Sequence, residues 1–282
     1  MNHKTTHTFS RAAMTLLVML LTATTAWAQD PAWLKQGDSW DEATKTLTVN
    51  SATVVNVAYQ NHSEIENVIV GNDVTSIGVN AFNGCTNLKT VFVGNGVTSI
   101  GAGAFYNCAN LATVDLGSLT TVTGRDAFTA AFLNCSSLTS VDLGSLTTAS
   151  GLNALHQAFN GCSSLASVSI GSLASATGGS SLGMTFSGCT SLTSLTFTSL
   201  ANITGSAALS QAFYGCTSLT SLSFPALTAS SFGSSYTNQF NDMLSGVTGC
   251  TVHFPAAAQA KIETLIGYPN FGGTNTTVLF DL

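Results

Sequence analysis

Two stretches, Ala81-Phe-Asn-Gly-Cys-Thr-Asn-Leu-Lys-Thr-Val91 and Val97-Thr-Ser-Ile-Gly-Ala-Gly-Ala-Phe105, set the reading of the whole chain, because the chain repeats them. Cys85 recurs as Cys108, Cys135, Cys162, Cys189 and Cys216, after a gap of 23 and then four gaps of 27 residues. Three residues before each stands a Phe: Phe82, Phe105, Phe132, Phe159, Phe186 and Phe213. Three residues after each stands a Leu: Leu88, Leu111, Leu138, Leu165, Leu192 and Leu219. Three positions kept in register over six copies define a repeat, and a fixed period is the mark of a stacked architecture. Ile65, Val68 and Val70 begin a weaker first unit, and Phe240, 27 after Phe213, opens a degenerate last one with Met243 in the Cys place.

Each unit has a physical reading. After the Leu comes an alternation of apolar and polar residues, as in Val91-Phe-Val93 or Val141-Asp-Leu143, which is strand periodicity. A second apolar pair, such as Val97/Ile100 or Leu200/Ile203, suits a second short extended or turn segment. The Phe then falls on an expected short helix. The residue before each Cys is always Gly or Asn (Gly84, Asn107, Asn134, Gly161, Gly188, Gly215), the types that tolerate a left-handed helix end. The longer units add an apolar residue four before the Phe: Phe128/Phe132, Leu155/Phe159, Leu182/Phe186 and Leu209/Phe213. That spacing puts both side chains on one helical face, so the insert reads as an extra helical turn.

A unit this small cannot bury its own apolar face, whereas stacked units can. The expected fold is an α/β repeat: a solenoid with a parallel β-sheet on one face and short helices or turns on the other, capped at both ends. Seven strand rungs at ~4.8 Å give a sheet roughly 30 Å long. Residues 29–64, with Trp33, Trp40 and the alternating Thr46-Leu-Thr-Val-Asn50, suit an N-terminal cap; 65–246 are the solenoid. Residues 247–282 suit a C-terminal cap, where Pro255 opens an Ala-rich helix with Ile262, Leu265 and Ile266 on one side.

The ends and the composition bear on location. Lys4 and Arg11 precede the apolar run Ala12-Ala-Met-Thr-Leu-Leu-Val-Met-Leu-Leu21, and Ala26-Trp-Ala28 is a small-x-small pattern. Residues 1–28 therefore read as a signal peptide cleaved after Ala28. The alternative is an uncleaved anchor, but the run is short of the ~20 residues a span needs. The mature chain keeps five Lys and Arg against thirteen Asp and Glu, a formal net charge of −8, and no later segment suits a membrane span. It is expected to be secreted or at the cell surface, with periplasmic retention possible. At 45% hydrophobic and 7% charged, disorder is excluded, as is a nucleic-acid binder resting on phosphate contacts.

The pattern Ala-Phe-x-Gly/Asn-Cys-x-x-Leu-x-x-Val, followed by Val-Thr-Ser-Ile-Gly, resembles the BspA-type leucine-rich repeat over residues 60–255. The family's known members are secreted or surface proteins of Bacteroides-like bacteria and some parasitic protists. The resemblance implies a right-handed solenoid and a role in adhesion or protein recognition. It transfers no catalytic residue, and the 27-residue units depart from the common length of about 23.

Candidate sites follow from the repeat. The in-register cysteines allow metal ligation, disulfides or packing. Metal sites favour close pairs such as C-x-x-C, which are missing, and cysteines pointing the same way into a core do not face each other for a bridge. Buried free thiols are expected. The outward strand positions form two columns of mostly hydroxyl residues: Thr90 and Phe92, Thr113 and Asp115, Ser140 and Asp142, Ser167 and Ser169, Ser194 and Thr196, Ser221 and Ser223. They read either as solvated β-compatible surface or as a binding face, since solenoids use their extended sheet for partners. Phe92 beside Asp115 and Asp142 is the distinctive spot, an anchor beside two carboxylates that could share a cation. A Thr grid for ice or a crystal surface would repeat one residue type, and this face mixes Thr, Ser and Asp. His62, His156 and His253 lie in different contexts without a paired acid and nucleophile, so no enzyme is expected, and no cofactor or metal. The expected function is non-enzymatic recognition of a host or neighbouring-cell protein or glycan, by a monomer with no nucleic-acid partner. The alternative is an envelope scaffold without a dedicated ligand.

Overall fold

The structure is a computed structural model that describes residues 30–54, 56–116, 119–232, 238–266 and 271–282. The expected signal peptide, residues 1–28, lies outside the described residues. Residues 32–282 form one body. Its strands are β1 (Ser39–Asp41), β2 (Thr46–Val49), β3 (Thr53–Val54), β4 (Asn67–Val70), β5 (Ser76–Ile77), β6 (Thr90–Val93), β7 (Ser99–Ile100), β8 (Thr113–Asp115) and β9 (Thr121–Val122). They continue as β10 (Ser140–Asp142), β11 (Thr148–Ala149), β12 (Ser167–Ser169), β13 (Ser175–Ala176), β14 (Ser194–Thr196), β15 (Ser221–Ser223), β16 (Thr251–His253) and β17 (Thr277–Leu279). The α-helix among the described residues is α1, Gln259–Ile266.

Each coil contributes one strand to a main parallel ladder, in the order β2-β4-β6-β8, then β10-β12, then β14-β15-β16-β17. β8 lies beside β10, and β12 beside β14. Register follows the repeat lengths: Val68 faces Val91 and then Val114, and Val141 faces Val168. The second apolar pair also ends in a short strand in the units up to Ala176, while Ile203 makes only an isolated bridge. These strands make a second parallel ladder, β3-β5-β7 and β9-β11-β13, so two sheets share one core. β1 differs, pairing antiparallel with β2.

The segments leading to each Phe are not helical, which corrects the expectation from Phe128/Phe132 and its counterparts. They are runs of four-residue turns. Left-handed backbone recurs every fourth residue, at Asp126, Ala130 and Asn134 in one coil and at Asn153, Gln157 and Gly161 in the next. Backbone N–H groups alternate in what they bond. Ala127, Thr129, Ala131, Leu133 and Cys135 donate to the carbonyl three residues back. Asp126, Phe128, Ala130, Phe132 and Asn134 donate to Leu152, Ala154, His156, Ala158 and Asn160 on the next coil. All ten N–H groups are thus partnered, as burial demands. An α-helix would spend every N–H inside its own coil and leave none for the neighbour. The four-residue insert of the longer units is one more such turn, and the i,i+4 apolar spacing reflects that turn period.

The columns pack as the repeat implies. Tyr59, Phe82, Phe105, Phe132, Phe159, Phe186 and Phe213 form a continuous stack, with ring centroids 5.1 to 5.8 Å apart and planes within 16°. Tyr59 stands 23 residues before Phe82 and takes the Phe place of the first coil. A second stack, Phe197, Phe224 and Phe254, has spacings of 5.2 and 5.4 Å. Where no side chain intervenes, coils close up further: a Cβ on Gly178 would lie 2.0 Å from the Gly151 carbonyl oxygen.

The last register differs from the expectation of Phe240 and Met243 in the Phe and Cys places. The Phe213 N–H donates to Met243 O, just as the Phe186 N–H donates to Ala212 O. That sets Leu244 opposite Phe213 and Val247 opposite Cys216, an offset of 31 residues. Gly246, with φ +80, stands before Val247 as a Gly or Asn stands before each Cys; that was the available signal. Cys250, just before β16, is buried, and β16 and β17 continue the ladder, Leu222 facing Val252 and Val252 facing Val278.

Truncating Phe159 to Ala should cost about 3–5 kcal/mol, because the ring is fully buried between two others. Urea denaturation reads this; a loss below about 1 kcal/mol would show that the stack is not a principal source of stability.

Candidate functional site

Chemically capable side chains fall into three groups: the thiol column, the histidines and the outward sheet columns. The six repeat cysteines are free and buried. Each thiol donates to the carbonyl of the aromatic residue one coil back: Cys85 to Tyr59, Cys108 to Phe82, Cys135 to Phe105, Cys162 to Phe132, Cys189 to Phe159 and Cys216 to Phe186, at 3.0 to 3.3 Å. From Phe82 to Phe186, the same carbonyl also accepts the N–H of its own coil's Cys. The thiol therefore fills the carbonyl's second lone pair while packing as a small apolar group. Burial pushes Cys85, Cys162 and Cys216 up to about 12, Cys250 to about 11, and Cys108, Cys135 and Cys189 well above the usual thiol value. These are structural thiols; a nucleophile or metal ligand needs the thiolate.

The histidines stay apart, as their sequence contexts imply. His62 pairs with Glu64 at 2.9 Å and packs at a tilt of 39° against Trp33, centroids 4.8 Å apart. His253 on β16 meets the Asp281 carboxylate at 3.0 and 3.1 Å. His156 is half-buried beside Gly183; burial lowers its pKa, and its Nδ1 has no partner. Among the described residues no group of three or more His, Cys, Asp or Glu could hold a metal.

The outward strand residues are aligned by the ladder. Thr90 faces Thr113, and Phe92 lies between Ile69 and Asp115. Ser140 faces Ser167 and Asp142 faces Ser169; Ser194 faces Ser221 and Thr196 faces Ser223. Thr113, Ser140, Asp142, Ser167, Ser169, Ser194 and Thr196 are exposed, and Thr90, Phe92 and Asp115 are half-buried. The columns extend beyond the positions read from sequence. Thr90 Oγ1 donates to Asn67 Oδ1 at 2.7 Å, and beyond Ser223 the second column runs on to His253 and Leu279. Asp142 accepts the Gly144 N–H at 2.7 Å, so this carboxylate is engaged by its own turn. Two ion pairs lie in the amino-terminal coils: Lys45 pairs with Glu42, and Lys89 with Glu66 at 2.5 Å.

With this geometry in place, the comparisons with known proteins can be given. The model of the BspA type leucine rich repeat region matches six copies, over residues 52–182 and 182–245. The chain therefore belongs to the BspA-type leucine-rich repeat family. No curated protein matches the sequence. The chain is similar to a crystal structure of a leucine rich repeat protein of T. pallidum, at 20% identity and TM-score 0.44, covering 89% of this chain and 100% of that one. It is also similar to a leucine rich cell surface protein of Faecalibacterium prausnitzii, at 15% identity and TM-score 0.39, covering 87% and 94%. A third is the pneumococcal vaccine antigen PcpA, at 13% identity and TM-score 0.35, covering 84% and 78%.

The thiol column makes the fold alkali-sensitive. Unfolded thiols ionise near their ordinary value of about 8.5, while the folded ones resist until about 11 or higher. Stability is thus fully present below about pH 8.5 and lost progressively as pH rises from there through the folded values. Thermal melts across pH 7–11 should show the loss, and Cys162→Ala should lessen it by the share of one thiol among the seven. A pH-independent melt would contradict the burial of the column.

Proposed function

We propose that the protein is an exported recognition protein that binds a host or neighbouring-cell protein or glycan through the outward face of its main sheet, without catalysis. The observation that carries this is the register. One strand per coil places Thr90, Thr113, Ser140, Ser167 and Ser194 in one column and Phe92, Asp115, Asp142, Ser169 and Thr196 in the next. A rigid, repetitive array of short polar side chains suits an extended partner surface. Phe92, half-buried beside Ile69, supplies apolar area where the carboxylate of Asp115 begins the polar part of its column. Family membership supports a surface and protein-interaction role, and the apolar run at residues 12–21 supports export. No helix among the described residues is long and apolar enough to cross a membrane. In the same reading the solenoid is right-handed and the segments 29–64 and 247–282 close its ends; the edge-on packing of Trp33 on Tyr59, centroids 5.9 Å apart, supports the first closure.

The test is capture by the chain lacking residues 1–28 from host-mucosal and neighbouring-bacterial extracts, followed by titration of the purified partner. Phe92→Ala and Asp115→Lys should each weaken binding by about tenfold or more without shifting the unfolding midpoint, as anchor substitutions do. Stable association with envelope components that ignores both substitutions would instead make the protein a scaffold.

A further inference from the structure

Beyond residue 28 the chain carries sulfur in seven Cys and in two Met, Met184 and Met243. Eight of these nine side chains are sealed in the core. All seven thiols are free and buried, and Met243 is 0% exposed. Met184 alone is half-buried, so one thioether of the whole set meets solvent. The register accounts for the difference. The Phe213 N–H donates to Met243 O, which aligns Met243 with Ala212, an inward place that Ala104, Ala131, Ala158 and Thr185 fill in earlier coils. The Gln157 N–H donates to Gly183 O and the Met184 N–H to Ser210 O, which aligns Gln157, Met184 and Gln211 on the turn side. This is the left-handed place filled by Asn80, Gly103 and Ala130 in the coils before, and the side chains of Gln157, Met184 and Gln211 are all half-buried there.

The sulfur of Met184 has a defined polar neighbour. Gln157 Nε2, one coil back, donates to Met184 Sδ at 3.5 Å. A thioether sulfur is a weak acceptor with two lone pairs, so this contact occupies one and leaves the other. The thiols are protected by chemistry as well as by burial. A thiol reacts with an oxidant as its thiolate, and burial holds Cys162 and Cys216 up at about 12. A thioether has no proton to lose, so its reactivity at neutral pH follows access alone.

We propose that Met184 is the reversible oxidation site of the folded chain: a hydroperoxide converts it to a single epimer of the sulfoxide, and a methionine sulfoxide reductase restores it. In the forward step the unoccupied lone pair of Sδ attacks a peroxide oxygen. The S–O bond forms as the O–O bond breaks, the sulfur gives up two electrons, and the second oxygen takes a proton and leaves as water or an alcohol. In the return step the oxygen leaves as water while two thiols of the reductase become a disulfide. Gln157 sets the epimer, because the lone pair that accepts its Nε2 is shielded and attack falls on the other. The product is polar and chiral where the thioether was apolar. It places a strong acceptor on coils whose sequence, from Leu143 to Asn241, contains no Asp, Glu, Lys or Arg. The site is on the turn side, so it stands or falls independently of binding at the sheet face.

The test treats the folded chain lacking residues 1–28 with hydrogen peroxide near neutral pH and maps the added oxygen by peptide mass spectrometry. Met184 should gain one oxygen at least about tenfold faster than Met243 or any Cys, and denaturant should abolish that preference. Of the two classes of methionine sulfoxide reductase, each specific for one epimer, one should remove most of the oxygen and the other little. Gln157→Ala, which repeats the residue that Ala130 supplies one coil earlier, and Gln157→Leu should each leave Met184 oxidisable but make the two reductases about equally effective. Protected thiols confirm that a variant is folded, and either variant suffices. Met184→Leu should abolish oxygen uptake by the folded chain. The inference is overturned if Met243 or a Cys of the folded chain is oxidised as fast as Met184, if the two reductases act equally on the unaltered chain, or if a folded Gln157 variant keeps the single epimer.

Discussion

The structure depends on a division of labour among backbone N–H groups. In the turn segments every second N–H closes a turn within its own coil, and the one between reaches the next coil. The first set holds each coil in shape; the second makes the coil incomplete without its neighbour. No unit can therefore be stable alone, and the stability of the whole resides in interfaces between successive units. The two strand ladders obey the same logic, so three sides of each coil are bonded to the coils beside it.

That ladder fixes the columns, and the columns explain the composition. With coils held about 5 Å apart, one ring per coil must stack on the next, and one small side chain must fit beneath each Phe carbonyl. Cys meets the second need better than Ala or Ser. It is small and apolar enough for full burial, yet it donates to a carbonyl that already accepts one N–H. The Gly at 151 and 178 meets a further need, because the backbones approach too closely there for any Cβ. With the core filled by the repeat itself, few charges are needed anywhere. Those present flank Leu143–Asn241, most before it and Asp242, Lys261, Glu263 and Asp281 after it, leaving that stretch without any. The middle coils therefore carry no fixed charge, while the coils before and the segment after them do.

Much of the candidate surface was legible from residue types. The alternation Thr-Val-Asp or Ser-Leu-Thr fixes which side chains point outward once a strand is granted, and the aligned pairs match that alternation. The turn-side positions were not legible in the same way. Gln157, Met184 and Gln211 mix two residue types, and their alignment appears only when the inter-coil hydrogen bonds are known. Their left-handed backbone is equally hidden, since a helix would have placed them at ordinary φ. Leu244 and Val247 were missed for a related reason: the offset of 31 breaks the period of 27, and Phe240 imitated the expected residue.

The sequence by itself determined the stacking, its period, the inward Phe, Cys and Leu columns and the outward identity of the main strand, because each follows from a local pattern repeated at fixed distance. What only the tertiary structure decided was the conformation between the strands. An apolar pair at i and i+4 suits a helix and a four-residue turn equally well. The choice was made by partners 26 residues away along the chain, such as Ala154 O for the Phe128 N–H, and a bond to a distant coil leaves no mark in the spacing of neighbouring residues.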